Sequence, residues 1–221
     1  VPARIDPQKR RQQVVEAAFR LVVADGWQNV SLRKVADESG LNIGSVRHYF
    51  DGHEDLLAAA AEEAGSRMGR RLSEHPVDQL RGLRGDAAVN ALQAMVEAVL
   101  PVDDARREEA IMVVELITAS RTVPVFRAMA ERMGDDLAAV LREALDALGV
   151  PDADLSAAQV AALIGGLTTD AVTPHGRVSV DRIRAVLRAQ LEMVLGQGRS
   201  RCRDGCSGCS QPRSCSTPTT T

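Results

Sequence analysis

Residues 30–57 read VSLRKVADESGLNIGSVRHYFDGHEDLL, and their punctuation decides the fold. Ser31 is a hydroxyl cap for a helix whose inward residues are Leu32, Val35 and Ala36, and Ser39-Gly40 stops it. After Leu41, Asn42 caps a second short helix, in which Val46, Tyr49 and Phe50 share one face at i, i+3 and i+4. Asp51 with Glu54 three residues on has the form of a capping box for the next helix. Two short helices joined by a tight glycine turn, the second free of acidic residues, form a helix-turn-helix pattern. With Val46 and Phe50 inward, Gly44, Ser45, Arg47 and His48 point outward. Glycine on that face costs about 1 kcal/mol relative to alanine. It makes sense where another backbone, such as a DNA strand, must come close. The same pattern also suits a small three-helix module that only packs on the rest of the chain.

Working outward, Asp6-Pro7 opens a helix along which Val14, Ala18, Leu21 and Val22 recur until Asp25-Gly26 ends it. Phe19, Trp27, Tyr49 and Phe50 all lie in the first fifty residues, leaving Phe126 as the one later aromatic. Beyond Glu54 the chain reads as amphipathic helices near residues 54–74, 86–100, 104–120 and 123–147, then 155–172 and 179–196. The expected fold is all-α, a helix-turn-helix domain over residues 1–53 and a helical bundle over 54–198. Residues 199–221, RSRCRDGCSGCSQPRSCSTPTTT, have the composition of a disordered tail.

Composition narrows the class. Hydrophobic residues at 45% and charged residues at 26% are globular proportions, and the 2% aromatic content with no alternating β-branched runs excludes an all-β fold. No continuous apolar run approaches the roughly 18 residues of a membrane span, so no membrane partner and a cytoplasmic location are expected. All four cysteines fall between Cys202 and Cys215, which suits a reducing compartment. The net charge of −3 is uneven: residues 1–53 carry eight Lys/Arg against six Asp/Glu, and residues 54–198 carry fifteen against twenty-three. The acidity sits in the body, so the whole-chain value decides nothing about DNA.

The quoted stretch resembles the DNA-binding module of the tetracycline-repressor (TetR) family of bacterial regulators. The resemblance rests on the capped second helix, Ala36 to Gly40 into the turn, then Gly44 to Tyr49-Phe50. LPVDDARREEAIMVVELITAS and LIGGLTTDAV, at residues 100–120 and 163–172, are similar to the BetI-like branch of that family. The resemblance implies that Ser31 and Arg33 reach phosphates of double-stranded operator DNA. Asn42, Ile43, Ser45 and Arg47 would face base edges or flanking phosphates, Gly44 would allow the approach, and His48 and Tyr49 would hold the backbone. His53 stands where many members carry lysine. Ile43 offers an apolar contact to a thymine methyl, and Arg47 can pair bidentately with guanine. The basic run Lys9-Arg10-Arg11 either follows the DNA or is a solvated first turn. Protonation of His48 and His53 would raise operator affinity as pH falls from about 8 to 6.

The resemblance further implies a C2 homodimer through the helices near 155–172 and 179–196, a palindromic operator, and release by a small-molecule effector. Ala161, Ala162, Gly165 and Gly166 lie beside the apolar stripe Ile183, Val186, Leu187, Leu191 and Val194. The candidate effector pocket comprises Met68, Met95, Met112, Glu115, Arg121, Phe126, Met129 and Thr168, since flexible thioethers line adaptable pockets as well as ordinary cores. With Phe126 alone available in the body, a choline-like cation lacks its aromatic cage, and an aliphatic or oxygenated effector fits better. Catalytic motifs are missing: there is no phosphate loop, no HExxH and no nucleophile elbow, so neither an enzyme nor a cofactor is expected. Asp103-Asp104 and Asp135-Asp136 read as helix-start acids rather than metal ligands. Cys202, Cys206, Cys209 and Cys215 are enough in number for zinc but too compactly spaced for paired knuckles. The chain therefore reads as a ligand-responsive repressor. Its rivals are a helical small-molecule-binding protein and a metal- or redox-responsive regulator acting through the tail cysteines.

Overall fold

A computed structural model describes the backbone of residues 6–204 and the side chains of residues 6–196. Among these residues the chain forms nine α-helices. They are α1 (Pro7–Asp25), α2 (Leu32–Ser39), α3 (Ile43–Tyr49), α4 (His53–Ser73), α5 (Gly85–Glu97), α6 (Asp104–Ala119), α7 (Pro124–Ala147), α8 (Ala153–Val172) and α9 (Val180–Asp204). Short 3-10 turns stand at Trp27–Asn29 and Val77–Leu80. The all-α expectation holds, with an N-terminal helix-turn-helix and a C-terminal helical body.

Local chemistry places most of the ends. The Asp6 carboxylate accepts the Gln8 N–H at 2.9 Å with Pro7 in the first turn, and Gly26 closes α1 at φ +78°. The Asp103 carboxylate accepts the Arg106 N–H at 2.8 Å, so the first acidic pair does cap α6. Asp135 and Asp136 instead lie exposed in the middle of α7, where the turns on either side already satisfy the backbone. The cap of α4 is also one residue later than the sequence suggests. Gly52 takes the cap position, and Asp55, not Glu54, reaches back to accept the Asp51 N–H at 3.1 Å.

Two cores organise the helices. The first joins α1–α4 and is completed by Met112, Leu116 and Ala119 of α6 and by Phe126 and Met129 of α7. The second joins α5, the later half of α7, α8 and α9. Helix α7 buries side chains in both cores, Leu72 near the end of α4 packs on the second, and α6 lies against α1, α4, α7 and α8. The α1–α4 contact is held by Arg67, which pairs with Glu16 and Glu63 while its guanidinium lies 4.8 Å from the Phe19 ring centroid. Burial works to raise the Glu16 carboxyl, but hydrogen bonds from Arg67 and Gln12 hold it below its ordinary value. Between the cores, Glu109 is 2% exposed and receives both terminal nitrogens of Arg71, whose Nε donates to the Ala98 carbonyl at 3.0 Å.

Two expectations about the last helices change. The stripe Ile183, Leu187, Leu191 and Val194 is buried within the chain's own second core. On α8, Ala162, Gly165 and Gly166 stay exposed, as do Leu155 at 57% and Met193 of α9 at 59%. Helix α9 also runs on through Asp204, past Gly198, so Cys202 lies on its backbone. Cys206, Cys209 and Cys215 lie outside the described residues. Helix α8 is by length and composition apolar enough to cross a bilayer, a test that core helices also pass. It carries Asp154 and Asp170 and packs against α6, α7 and α9 as a core helix.

Candidate nucleic-acid interface

Helices α2 and α3 are set by their caps. The Ser31 hydroxyl oxygen accepts the Lys34 N–H at 3.2 Å, and Gly40 adopts the left-handed conformation at φ +66° to turn the chain. The Gln13 side chain of α1 donates to the Ser39 carbonyl at 2.6 Å, tying the end of α2 to the first helix. In α3, Asn42 Oδ1 accepts the Ser45 N–H at 2.8 Å and the Ser45 hydroxyl at 3.2 Å. Val46 and Phe50 are fully buried, which fixes the rotation of α3 and aims its other face outward.

That outer face carries Ile43, 39% exposed, with Arg47 one turn on, and Gly44 with His48 one turn on. Arg33 and Arg47 make no ion pair among the described residues, whereas Lys34 is paired with Asp25 at 3.3 Å and Arg20 with Glu38 at 2.8 Å. Free guanidinium groups beside capped, acid-free helix starts suit phosphate and base-edge acceptors. The basic run upstream is divided: Arg11 lies 5.0 Å over the Phe50 ring centroid, while Lys9 is exposed.

Four candidates have duties inside the protein. Asn42 and Ser45 are bonded to each other, so their outward capacity is the Asn42 amide N–H groups and the two acceptor lone pairs of the Ser45 hydroxyl. Gly44 has a local cause as well, because a Cβ there would come within 3.2 Å of Asn42 Oδ1 and push on the cap. His53 stacks on Trp27 with ring centroids 6.5 Å apart and is half-buried. Burial holds its pKa below the ordinary value, with Glu54 opposing weakly. Burial therefore works against the expected charging of His53 near pH 6. His48 is exposed and meets Tyr49 edge-on at 5.2 Å.

The candidate effector residues do not line one cavity. Met112, Glu115 and Phe126 meet Val22, Trp27, Leu57 and Leu116 at the seam between α1, α4, α6 and α7, and Met129 packs in the same core. That seam encloses about 10 Å³, scarcely room for one water. Met95 belongs to the second core, Thr168 is buried on α8, Met68 is half-buried on α4, and Arg121 is exposed beyond α6. Nor is Phe126 alone: Trp27 stands edge-on to it at 6.1 Å. Sequence distance hid that pair, since one ring belongs to the DNA-binding half and the other to the body. A wider open groove of about 650 Å³ lies between Val77, Asp78, Arg81, Glu143 and Asp146, none of them singled out from the sequence. Among the described residues no cluster of His, Cys, Asp or Glu is arranged to hold a metal ion.

Comparison with known proteins agrees with this geometry. Residues 14–60 match the family of bacterial regulatory proteins of the tetR type, and residues 88–196 match the C-terminal region of BetI-type transcriptional repressors. The chain is 29% identical over 197 residues to the HTH-type transcriptional regulator PksA of Bacillus subtilis, covering 88% of this chain and 94% of that one. A transcriptional regulator from Rhodococcus sp. Rha1 superposes with a TM-score of 0.76 at 27% identity, covering 85% of this chain and 96% of the other. A regulator from Saccharomonospora viridis, solved in complex with choline, gives a TM-score of 0.68 at 26% identity over 84% of this chain and 96% of that one. With a capped helix-turn-helix at one end and a BetI-type helical body at the other, this chain belongs to the TetR family of transcriptional regulators.

Proposed function

We propose that the protein is a ligand-responsive repressor that binds a palindromic operator as a homodimer and leaves it when a small molecule binds. Residues 1–53 contact DNA and residues 54–198 dimerise and receive the effector. The observation that carries this reading is the outer face of α3. Ile43, Arg47 and His48 are exposed there on a helix without acidic residues, rotated outward by buried Val46 and Phe50. Ser31, Arg33 and Tyr49 flank it, and Gly44 and the Asn42–Ser45 cap leave its start open to a phosphate.

Exposed small residues on α8, together with exposed Leu155 of α8 and Met193 of α9, support self-association through these two helices, because apolar side chains left in solvent favour burial. The choline found in the S. viridis relative supports a small-molecule effector. In this chain Met112, Glu115, Phe126 and Met129 lie where an effector would act on the DNA-binding half. Widening and filling that narrow seam would shift the population towards dimers whose α3 helices no longer match successive major grooves.

The test is a salt-titrated binding assay on DNA upstream of the protein's own gene. Sequence-specific binding whose logarithm falls linearly with log salt, and which weakens in Arg47→Ala and His48→Ala, is the expected result. Binding indifferent to sequence and to both substitutions refutes the operator reading.

A further inference from the structure

We infer that Glu115 is a positioning residue for DNA recognition, fixing the angle at which α2 and α3 sit on the body. The inference rests on the operator-binding reading above. Glu115 lies on α6, yet its Oε2 accepts the backbone N–H of Trp27 at 3.2 Å, 88 residues away in sequence. Trp27 is the first residue of the turn from which α2 and α3 follow. The carboxylate lies directly over that turn, since a Cβ on Gly26 would stand 3.7 Å from the same oxygen.

The indole of Trp27 completes the joint. Phe126 of α7 meets it edge-on at 6.1 Å, and His53 of α4 stacks on it at 6.5 Å. The body thus grips this turn by one charge-assisted hydrogen bond and one aromatic wedge, while α4 continues from the same place into the body. A carboxylate is a costly choice for plain packing here. Glu115 is half-buried and makes no ion pair among the described residues, so its gain comes from the amide it accepts. In a dimer the angle of each module sets the distance between the two α3 helices, and so the half-site spacing the protein tolerates.

The experiment measures binding of the full-length protein to duplexes in which the two operator half-sites are moved apart or together by one or two base pairs. Trp27 is the only tryptophan in the chain, so its emission reports the joint independently. Wild type should prefer one spacing, and Glu115→Gln, which keeps an acceptor oxygen, should prefer the same one with affinity within about twofold. Glu115→Ala should lose about fivefold or more of the discrimination between best and next-best spacing, with red-shifted Trp27 emission. Glu115→Leu, which fills the space without an acceptor, serves as the second variant if the alanine protein does not fold, and should lose the same discrimination. Unchanged discrimination in the folded alanine or leucine variant overturns the inference while leaving the operator reading intact. A wild-type protein that binds every spacing alike overturns both.

Discussion

The Arg71–Glu109 pair sits where the two cores meet, and its removal has a calculable consequence. Glu109 is 2% exposed and the Arg71 side chain 22% exposed, and the pair joins α4 to α6 with both terminal nitrogens of the guanidinium engaged. Glu109→Leu leaves a guanidinium still held at the Ala98 carbonyl but without its counter-charge. Breaking a buried pair from one side costs about 3–5 kcal/mol. The partial exposure of Arg71 lets water reach the orphaned charge, which places the expected loss near the lower end, about 3 kcal/mol. For a chain of this size that corresponds to a fall of about 6–12 °C in Tm. The double variant Arg71→Met with Glu109→Leu removes both charges and keeps apolar volume, so it should recover most of that loss. Urea unfolding of wild type, both single variants and the double variant supplies the complete cycle. A single-variant loss below about 1 kcal/mol, or a double variant no more stable than the worse single, would refute the reasoning.

Other outcomes follow from the same geometry. His53 binds a proton less readily when folded than when unfolded, so the unfolded state holds more protons once pH drops below the ordinary histidine value near 6.5. Its contribution to stability is complete above that pH and is lost as pH falls towards the lowered folded value. The urea midpoint should therefore decline more between pH 7.5 and 5.5 in wild type than in His53→Phe, and equal declines would contradict the stacked, half-buried environment. Asn42→Ala removes the α3 cap and should cost about 1 kcal/mol in stability, read from thermal melts alongside a weaker operator complex. Arg47→Ala should cost about 1–3 kcal/mol of binding and relax the preference at one base position. Arg33→Ala should weaken all sequences alike and reduce the salt slope by about one, and equal behaviour of the two variants would argue against their different placement.

Much of this molecule is legible one turn at a time. The caps at Asp6, Ser31, Asn42 and Asp103, the glycine stops at Gly26 and Gly40, and the inward rows Val35-Ala36 and Val46-Phe50 follow from hydrogen bonds and side-chain spacing within a few residues. Those signals carry the all-α fold, the helix-turn-helix and the outward set Gly44, Arg47 and His48, while Ile43 came from the family resemblance. The misplaced cap at Asp51 and the mid-helix Asp135-Asp136 mark the limit of that logic, because several acids in a row leave the register of a helix start open.

Tertiary structure decided what each apolar or charged face meets. Periodicity shows that α9 has a buried stripe but not that Ile183 and Leu187 lie in the chain's own core, leaving Met193 outside. It cannot bring Trp27 to Phe126 across 99 residues, place Arg71 against Glu109, or lower the pKa of His53 by burying it. The candidate pocket residues scatter for the same reason: Met95 and Met112 have the same amphipathic signature but belong to different cores. Local backbone chemistry is written in neighbouring residues. Burial, pairing and titration depend on which distant surface closes over a side chain, and only the packed helices supply that surface.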